Sequence, residues 1–572
     1  MKAKNKTDLE GRALDRGGSF ISFVVCAAFL TTASPAVFAA PAAPPETAVG
    51  GRIGGEVRLS GRVRVTEDVY VPPGATLVVA PGTVVSFDRS ESSKVDPEFL
   101  FGGTELLVRG TLRASGAEFR FPDRSGGIVV AGGDAALSDV AVTGAEVGIS
   151  VLDGGRVTAG GPVRVSDCRV GVALFPAPLL PWAGDGEVSL AKNGLGAVRF
   201  AGAAALPASF RPRGSEEADV LSWGDAGGEP TAGEPLPAGV SPAPGALRLG
   251  DTFIDRDRTL RGDVIVDGVI RVAPGATLTV APGARIFFKF RDTDGDGIGE
   301  NGMFLQGNLS ARGTREEPIL FRPLDGSGRG LWDSINFMAS DRGESVLEHV
   351  AIEGAYRGLH AHFSRLGGAD VRISRCVRGV QFQESEVRLA RLSVGESQSA
   401  LRCRDSDVVL DGFRSRGTAS GANFLRSRVE LVSPDIAGPG FYGIRFRESR
   451  AAVTDGAVRG ALVGASVQEG TARLTRFRAV SPGLAGFSAL DGDVTMVGFV
   501  SEGGILDALS ATAGKVVLEG GSLSGFGRHA VKLGGPASVT LRGTAVTAGA
   551  GAGRDPIHDG RVSPGLGIVK VE

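Results

Sequence analysis

Four cysteines, four methionines, three tryptophans and three tyrosines are all that 572 residues contain, and only nine of the 62 basic residues are lysine. The cysteines give the first exclusion. Cys26 lies in an N-terminal apolar run, and Cys168, Cys376 and Cys403 are too few and too odd in number for a disulfide framework, so cohesion falls to burial and backbone pairing. So few Trp and Tyr argue against an exposed aromatic platform for sugars. Long-helix signals are missing as well: 88 glycines and 30 prolines are spread along the whole chain, which weakens helix bundles, coiled coils and α/β folds. No every-third-glycine register suggests collagen. Disorder is excluded by 42% hydrophobic residues, 22% charged residues and a net charge of −2. What remains is an all-β chain with many tight turns.

The N-terminus carries Lys2, Lys4, Lys6, Arg12 and Arg16, then an apolar run from Phe20 to Leu30, then Ala36-Val37-Phe38-Ala39. That is the three-part layout of a secretory signal peptide over residues 1–39, with Ala39 the last residue removed. The apolar run is shorter than the roughly 20 residues a bilayer needs, and no later segment reads as transmembrane. An exported protein is expected, periplasmic, at the cell surface or extracellular, with no nucleic-acid partner.

Internal repeats occur at two scales. Leu59 to Phe87 matches Leu260 to Phe288 without a gap, sharing Pro73-Gly74-Ala75-Thr76-Leu77 with Pro274-Gly275-Ala276-Thr277-Leu278. Downstream, Val163-Arg164-Val165-Ser166-Asp167-Cys168 matches Val371-Arg372-Ile373-Ser374-Arg375-Cys376. Two tandem modules follow, over residues 40–206 and 248–548, with a Pro-rich linker at 207–247 and a tail at 549–572. Within the second module a period of 21–23 residues aligns Phe382, Cys403, Phe424, Phe446, Val467, Ala489, Ala511 and Leu533. A parallel column holds Val380, Leu401, Ala422, Ile444, Ala465, Phe487, Leu509 and Val531, and a third runs from Leu389 through Leu410 and Leu431 to Leu541. The first two columns are two residues apart, so both point to one face of a short strand. Alternation at period 2, restated every coil, predicts a parallel β-helix. Its eight coils would make a rod of about 38 Å, and the whole mature chain two to three times that.

The run Gly262-Asp263-Val264 to Ala281-Pro282-Gly283, with Leu309-Ser310-Ala311-Arg312-Gly313-Thr314 and Gly330-Leu331-Trp332-Asp333-Ser334-Ile335, resembles secreted bacterial right-handed parallel β-helix repeat proteins of the pectate-lyase-like superfamily. The resemblance spans nearly the whole mature chain, and right-handedness is what it implies. For function it implies little, because that superfamily holds lyases, hydrolases, adhesins and members without an assigned activity.

Three groups of residues could carry chemistry. Asp292-Thr293-Asp294-Gly295-Asp296-Gly297-Ile298-Gly299-Glu300 places carboxylates at alternating positions before a turn glycine, as loops that wrap Ca²⁺ do. Asp292, Asp294, Asp296 and Glu300 are the expected ligands of a structural Ca²⁺, although Met303 stands where an EF-hand has its bidentate Glu. His360 and His362 flank the inward Ala361 and are candidate ligand-binding residues together with the stripe below; a His pair on one strand face can bind a transition metal, and without a third ligand the competing reading is surface histidine. Below them runs an outward stripe containing Arg402, Arg404, Arg445 and Arg447, suited to gripping an anionic polysaccharide or another cell-envelope component. Glu384, Asp405, Glu448 and Glu469 nearby can instead balance those charges. No Asn-Thr-Asp, Asp-Asp, Gly-His-Gly or Arg-x-Pro-x-x-Arg pattern of the β-helix enzymes is found.

Two functional readings result. The first is an exported, non-catalytic β-helix serving as a scaffold or glycan-binding surface. The alternative is a polysaccharide-active enzyme, lyase or glycoside hydrolase, with its site near His360 and the Arg stripe.

Overall fold

A computed structural model describes residues 46–572 apart from 90–102, 176–179, 201–202, 223–239, 439, 550–556 and 559–566. Residues 1–39, the expected signal peptide, lie outside the described residues. All regular structure described is strand, and strands of successive coils pair in parallel. The columns of the sequence are the registers of the ladder: Phe382 pairs with Cys403, Cys403 with Phe424, Phe424 with Phe446 and Phe446 with Val467. Leu389, Leu410, Leu431 and Val453 pair likewise on a second face. Nearly all these side chains are fully buried, stacked like on like along the axis.

From Phe363 to Gly503 each coil of the second module has three corners, and each corner has a residue in the left-handed region. One corner column is Glu384, Asp405, Arg426, Glu448 and Glu469, all with φ between 45° and 51°. Such residues normally avoid this conformation at a cost of order 1 kcal/mol. Here the ladder on both sides imposes it. Directly after this corner stands a buried serine in successive coils from Ser364 to Ser449, replaced by Gly470 after Glu469. Ser364, Ser385, Ser406 and Ser427 each donate Oγ–H to the carbonyl two residues back. Each hydroxyl also accepts the backbone N–H of the serine one coil earlier, at 3.0–3.2 Å. The ladder closes the hydrogen-bonding needs of a corner that cannot reach water. Cys376 takes the same position at another corner, its thiol on Ser374 O at 3.4 Å and its N–H on Ser397 Oγ at 3.1 Å. Burial pushes the thiols of Cys168, Cys376 and Cys403 up to about 12, so all three are inert structural groups.

The two modules have separate cores and share no sheet. They do not stack end to end. A third apolar cluster lies between them: Leu107, Val129, Val170, Phe175 and Val198 of the first solenoid meet Tyr356, Val377, Phe441, Leu462 and Val463 of the second. Phe175 and Phe200 stack at 4.2 Å, with Phe441 edge-on to both. Contacts climb in the same sense in both solenoids. Tyr70 donates to Asp296 O at 2.8 Å, Arg445 pairs with Glu146 at 3.2 Å, and Arg528 pairs with Glu217 at 2.6 Å. The solenoids therefore lie side by side, which answers what the repeats alone left open, whether the two modules stack into one continuous helix. The lateral packing is favoured because it buries a continuous apolar face that an end-to-end rod would leave in water. Part of the expected linker is ladder as well: Phe210–Arg213 and Ala218–Ser222 pair onto the last coils of the first solenoid. In the expected tail, Ile568–Val571 pairs onto Ser538–Arg542.

Candidate functional site

The seam between the solenoids is flanked by cavities. At its N-terminal end a cavity of about 410 Å³ is lined by Arg52 and Tyr70 of the first solenoid and by Asp294, Asp296, Glu300, Asp333, Tyr356 and Arg357 of the second. The acidic loop is docked there: Arg52 binds the Asp294 carboxylate and carbonyl. Asp333 stands at the start of a strand whose Trp332 is packed in the core, with 38% of its side chain open to the cavity. Burial pushes its carboxyl up to about 6; the charge of Asp296 adds to the shift, and a hydrogen bond from Ser334 at 3.0 Å opposes it. Asp296 is also raised, first by burial and then by Asp294, against a hydrogen bond from Ile298 N–H. Across from Asp333, at 3.5 Å, the Arg357 guanidinium is held down to about 9 by burial and by Arg378. It lies 4.7 Å from the Tyr356 ring. Burial drives the Tyr70 and Tyr356 hydroxyls up to about 12, so both remain neutral donors. Two partly buried carboxyls of unequal environment beside neutral phenols and a cation form an arrangement suited to acid–base work.

From Arg357 one outward column runs down the second solenoid through Arg378, Ser399 and Ser420. Farther along the same face Tyr442 pairs with Val463, and these two line a second cavity of about 550 Å³ with Arg124, Glu146, Arg169, Glu216 and Lys532. The neighbouring column holds Asn336, His360, Gln381, Arg402, Asn423, Arg445 and Ser466. Eight coil steps of about 4.8 Å, roughly 38 Å in all, separate Ser334 from Asp507, and between the two cavities the column is buried in the seam, with Arg378, Ser399 and Ser420 at most 5% exposed.

The residues named from sequence fall into three groups. His360 and His362 are adjacent, Nε2 to Nε2 at 3.0 Å, yet His360 is only 6% exposed and is not a surface histidine. Burial, then Arg357, His362 and Arg378, hold it well below the usual imidazole range. His362 is lowered by burial while Glu384 pulls it back. Arg402 and Arg447 are half-buried, and Arg404 is tied to Gln383 at 3.1 Å, Asp405 at 3.4 Å and Glu384 at 3.5 Å. Arg445 is not on open surface: its guanidinium sits under the first solenoid, on Glu146 and over the Tyr442 ring at 4.6 Å.

In the acidic loop, carboxylate oxygens of Asp292, Asp294 and Glu300 come within 4.8 Å of one another, and Asp296 stands outside the trio. The donor set is the hard oxygen set Ca²⁺ prefers. Each carboxylate already has a partner, however. Asp292 accepts Gly295, Asp296 and Gly297 N–H, Glu300 accepts Thr293 N–H, and Arg52 holds Asp294. A cation fits if Arg52 yields Asp294.

Sequence reasoning missed Asp333, Arg357 and Tyr70. Nothing in the chain order brings residue 70 beside residue 356. The repeated Arg357-Gly358 and Arg378-Gly379 at the same strand position, one coil apart, were the available signal for a cationic column.

No protein-family model matches this chain, and no curated protein does. Among solved structures, it is similar to the catalytic unit of a thermostable GH87 α-1,3-glucanase from Streptomyces thermodiastaticus strain HF3-3, at TM-score 0.30 and 14% identity over 59% of this chain and 69% of that one. It is also similar to a GH136 lacto-N-biosidase from Eubacterium ramulus, at TM-score 0.24 and 11% identity over 51% of this chain and 62% of that one. At these scores neither likeness says anything of activity. What the structure establishes is the architecture: an all-β protein of two parallel β-solenoids.

Proposed function

We propose that the protein is polysaccharide-active, a glycoside hydrolase that takes an anionic glycan into the cavity at the N-terminal end of the seam. One observation carries the reading: Asp333 and Asp296 line the same cavity, and both carboxyls are held above their ordinary values. A carboxyl near pH 6 is poised to protonate a glycosidic oxygen, and a second carboxylate can act on the sugar carbon or on water. Asp333, the more strongly shifted, takes the acid role and Asp296 the other. Arg52 and Arg357 in the cavity, with the half-buried Arg402 and Arg404 farther along the same solenoid, favour a glycan bearing carboxylate or sulfate groups. Export to the periplasm, cell surface or medium fits a polymeric substrate and the N-terminal segment. Ca²⁺ on Asp292, Asp294 and Glu300 would supply electrostatic support for an anionic sugar and rigidity to the loop.

A second reading is favoured by Arg357. A guanidinium held down to about 9 beside an acidic loop suits proton abstraction from a uronate, which would make the enzyme a lyase. The same cavity without turnover would be a glycan-binding scaffold. Incubating the purified protein with uronate-containing and sulfated polysaccharides separates the three. New reducing ends without ultraviolet absorbance, lost in Asp333→Asn, support hydrolysis. Unsaturated products lost in Arg357→Lys but retained in Asp333→Asn support elimination, and saturable binding with neither product leaves the scaffold.

A further inference from the structure

The cavity of about 550 Å³ toward the C-terminal end of the seam takes no part in the proposed activity. Its apolar lining comes from both solenoids: Val147, Val170 and Leu195 of the first, Phe441, Leu462 and Val463 of the second, all members of the cluster that joins them. Charged groups stand beside that lining, and all but one of them are matched. Glu146 pairs with Arg445 at 3.2 Å, Glu216 holds Arg124 through both carboxylate oxygens, and Glu217 binds Lys532 and, at 2.6 Å, Arg528. Arg169 also lines the cavity, half-buried, and its side chain makes no hydrogen bond or ion pair among the described residues.

The unmatched position follows from the two ladders. Val147, Val170, Leu195 and Ala218 are register partners in successive coils, so the residues before them, Glu146, Arg169, Gly194 and Glu217, form one row along the seam. Both ends of that row reach across to bases of the second solenoid. There the column runs Arg445, Ser466, Ser488, Ser510 and Lys532. Between the flanking ion pairs the first solenoid turns to a base while the second offers only serines, so no acid meets Arg169. Ser488 and Ser510 line the cavity, and neither hydroxyl has a hydrogen bond among the described residues. The Arg169 Nε is buried without an acceptor, so an anion meets the guanidinium end-on, through its two terminal nitrogens.

We infer that this cavity binds an amphiphilic monocarboxylate, a medium-chain alkanoate, with its carboxylate on the end of Arg169 and its chain against the apolar lining. One unmatched cation calls for one negative charge, and the carboxylates of Glu146 and Glu216 in the same cavity disfavour a dianion. The aliphatic walls favour a saturated chain over an inorganic anion, which would leave that surface wet. The volume falls within the roughly 300–1,000 Å³ of small-molecule sites.

The test is calorimetric titration of full-length protein with decanoate, decanol, decylamine and inorganic phosphate, below the concentration at which decanoate aggregates. Decanoate is expected to bind at least about tenfold more tightly than the other three, and at least about tenfold more weakly in Arg169→Gln, which removes the charged donor. Ser488→Phe, which fills the cavity and leaves Arg169 in place, should weaken it as well. Both positions are half-buried, so an unchanged melting temperature should accompany the loss. Binding should survive Arg52→Ala, which separates this site from the N-terminal cavity. Absence of decanoate binding, equal binding of decanol, decylamine or phosphate, decanoate binding untouched by both cavity variants, or its loss in Arg52→Ala would overturn the inference.

Discussion

Arg445 and Glu146 meet at 3.2 Å with less than a tenth of either side chain exposed, joining two ladders that share no hydrogen-bonded strand. Removing one partner strands the other charge in a desolvated place. Glu146→Ala or Arg445→Ala is therefore expected to cost about 3–5 kcal/mol, whereas the double replacement Glu146→Leu with Arg445→Met costs little. Chemical denaturation of the three variants checks this. Single and double variants of equal stability would show that the pair does not hold the seam.

The serine ladder should behave as a chain of equal links. Ser406→Ala removes a donor to Arg404 O and an acceptor for Ser385 N–H, with an expected cost of about 1–3 kcal/mol. Ser406→Cys should be milder, because Cys376 already fills an equivalent corner with its thiol on the carbonyl two residues back. Equilibrium urea curves decide the order, and a cysteine variant weaker than the alanine one contradicts it.

Asp333 sets a pH dependence. Its carboxyl rises from 3.8 in the unfolded chain to about 6 in the native one. Below about pH 4 both states are protonated and the group is neutral in its effect. Stability falls as pH rises from 4 to 6, and above 6 the full charge penalty is present. Asp333→Asn should therefore stabilise by about 1 kcal/mol at pH 8, after allowing for the open side of the carboxyl, and not at pH 3.5. If Asp333 is the acid, kcat/KM declines above about pH 6; a rate that climbs through this range assigns the proton to another group.

Calcium should compete with Arg52. Millimolar Ca²⁺ is expected to raise the melting temperature over chelator-treated protein, Asp292→Ala to abolish the rise, and Arg52→Ala to enlarge it by freeing Asp294. Equal melting with and without Ca²⁺ removes the cation from the loop.

The inner columns were legible because every coil repeats them: Phe382, Cys403, Phe424 and Phe446 are neighbours in space for the same reason that they recur at 21–22 residues. The seam was not, since it joins outward side chains of coils hundreds of residues apart. Its trace was present in the first module. Gly127–Ala131, Val147–Leu152 and Val170–Leu174 are almost wholly apolar where other strands alternate, the pattern of strands covered on both faces. Arg445 was misplaced on open surface for that reason, and the cavity around Asp333 and Tyr70 could not be assembled without the seam.

Because both ladders climb by one strand spacing per coil, they form two commensurate combs. A whole coil gained or lost in one solenoid would leave its own core intact, yet slide every later seam contact by about 4.8 Å against its counterpart. Arg528 would then pass Glu217, with which it now pairs at 2.6 Å. Length variation in such a protein is therefore constrained to matched insertions in both halves, and the reach of the seam between them can change only in steps of one coil.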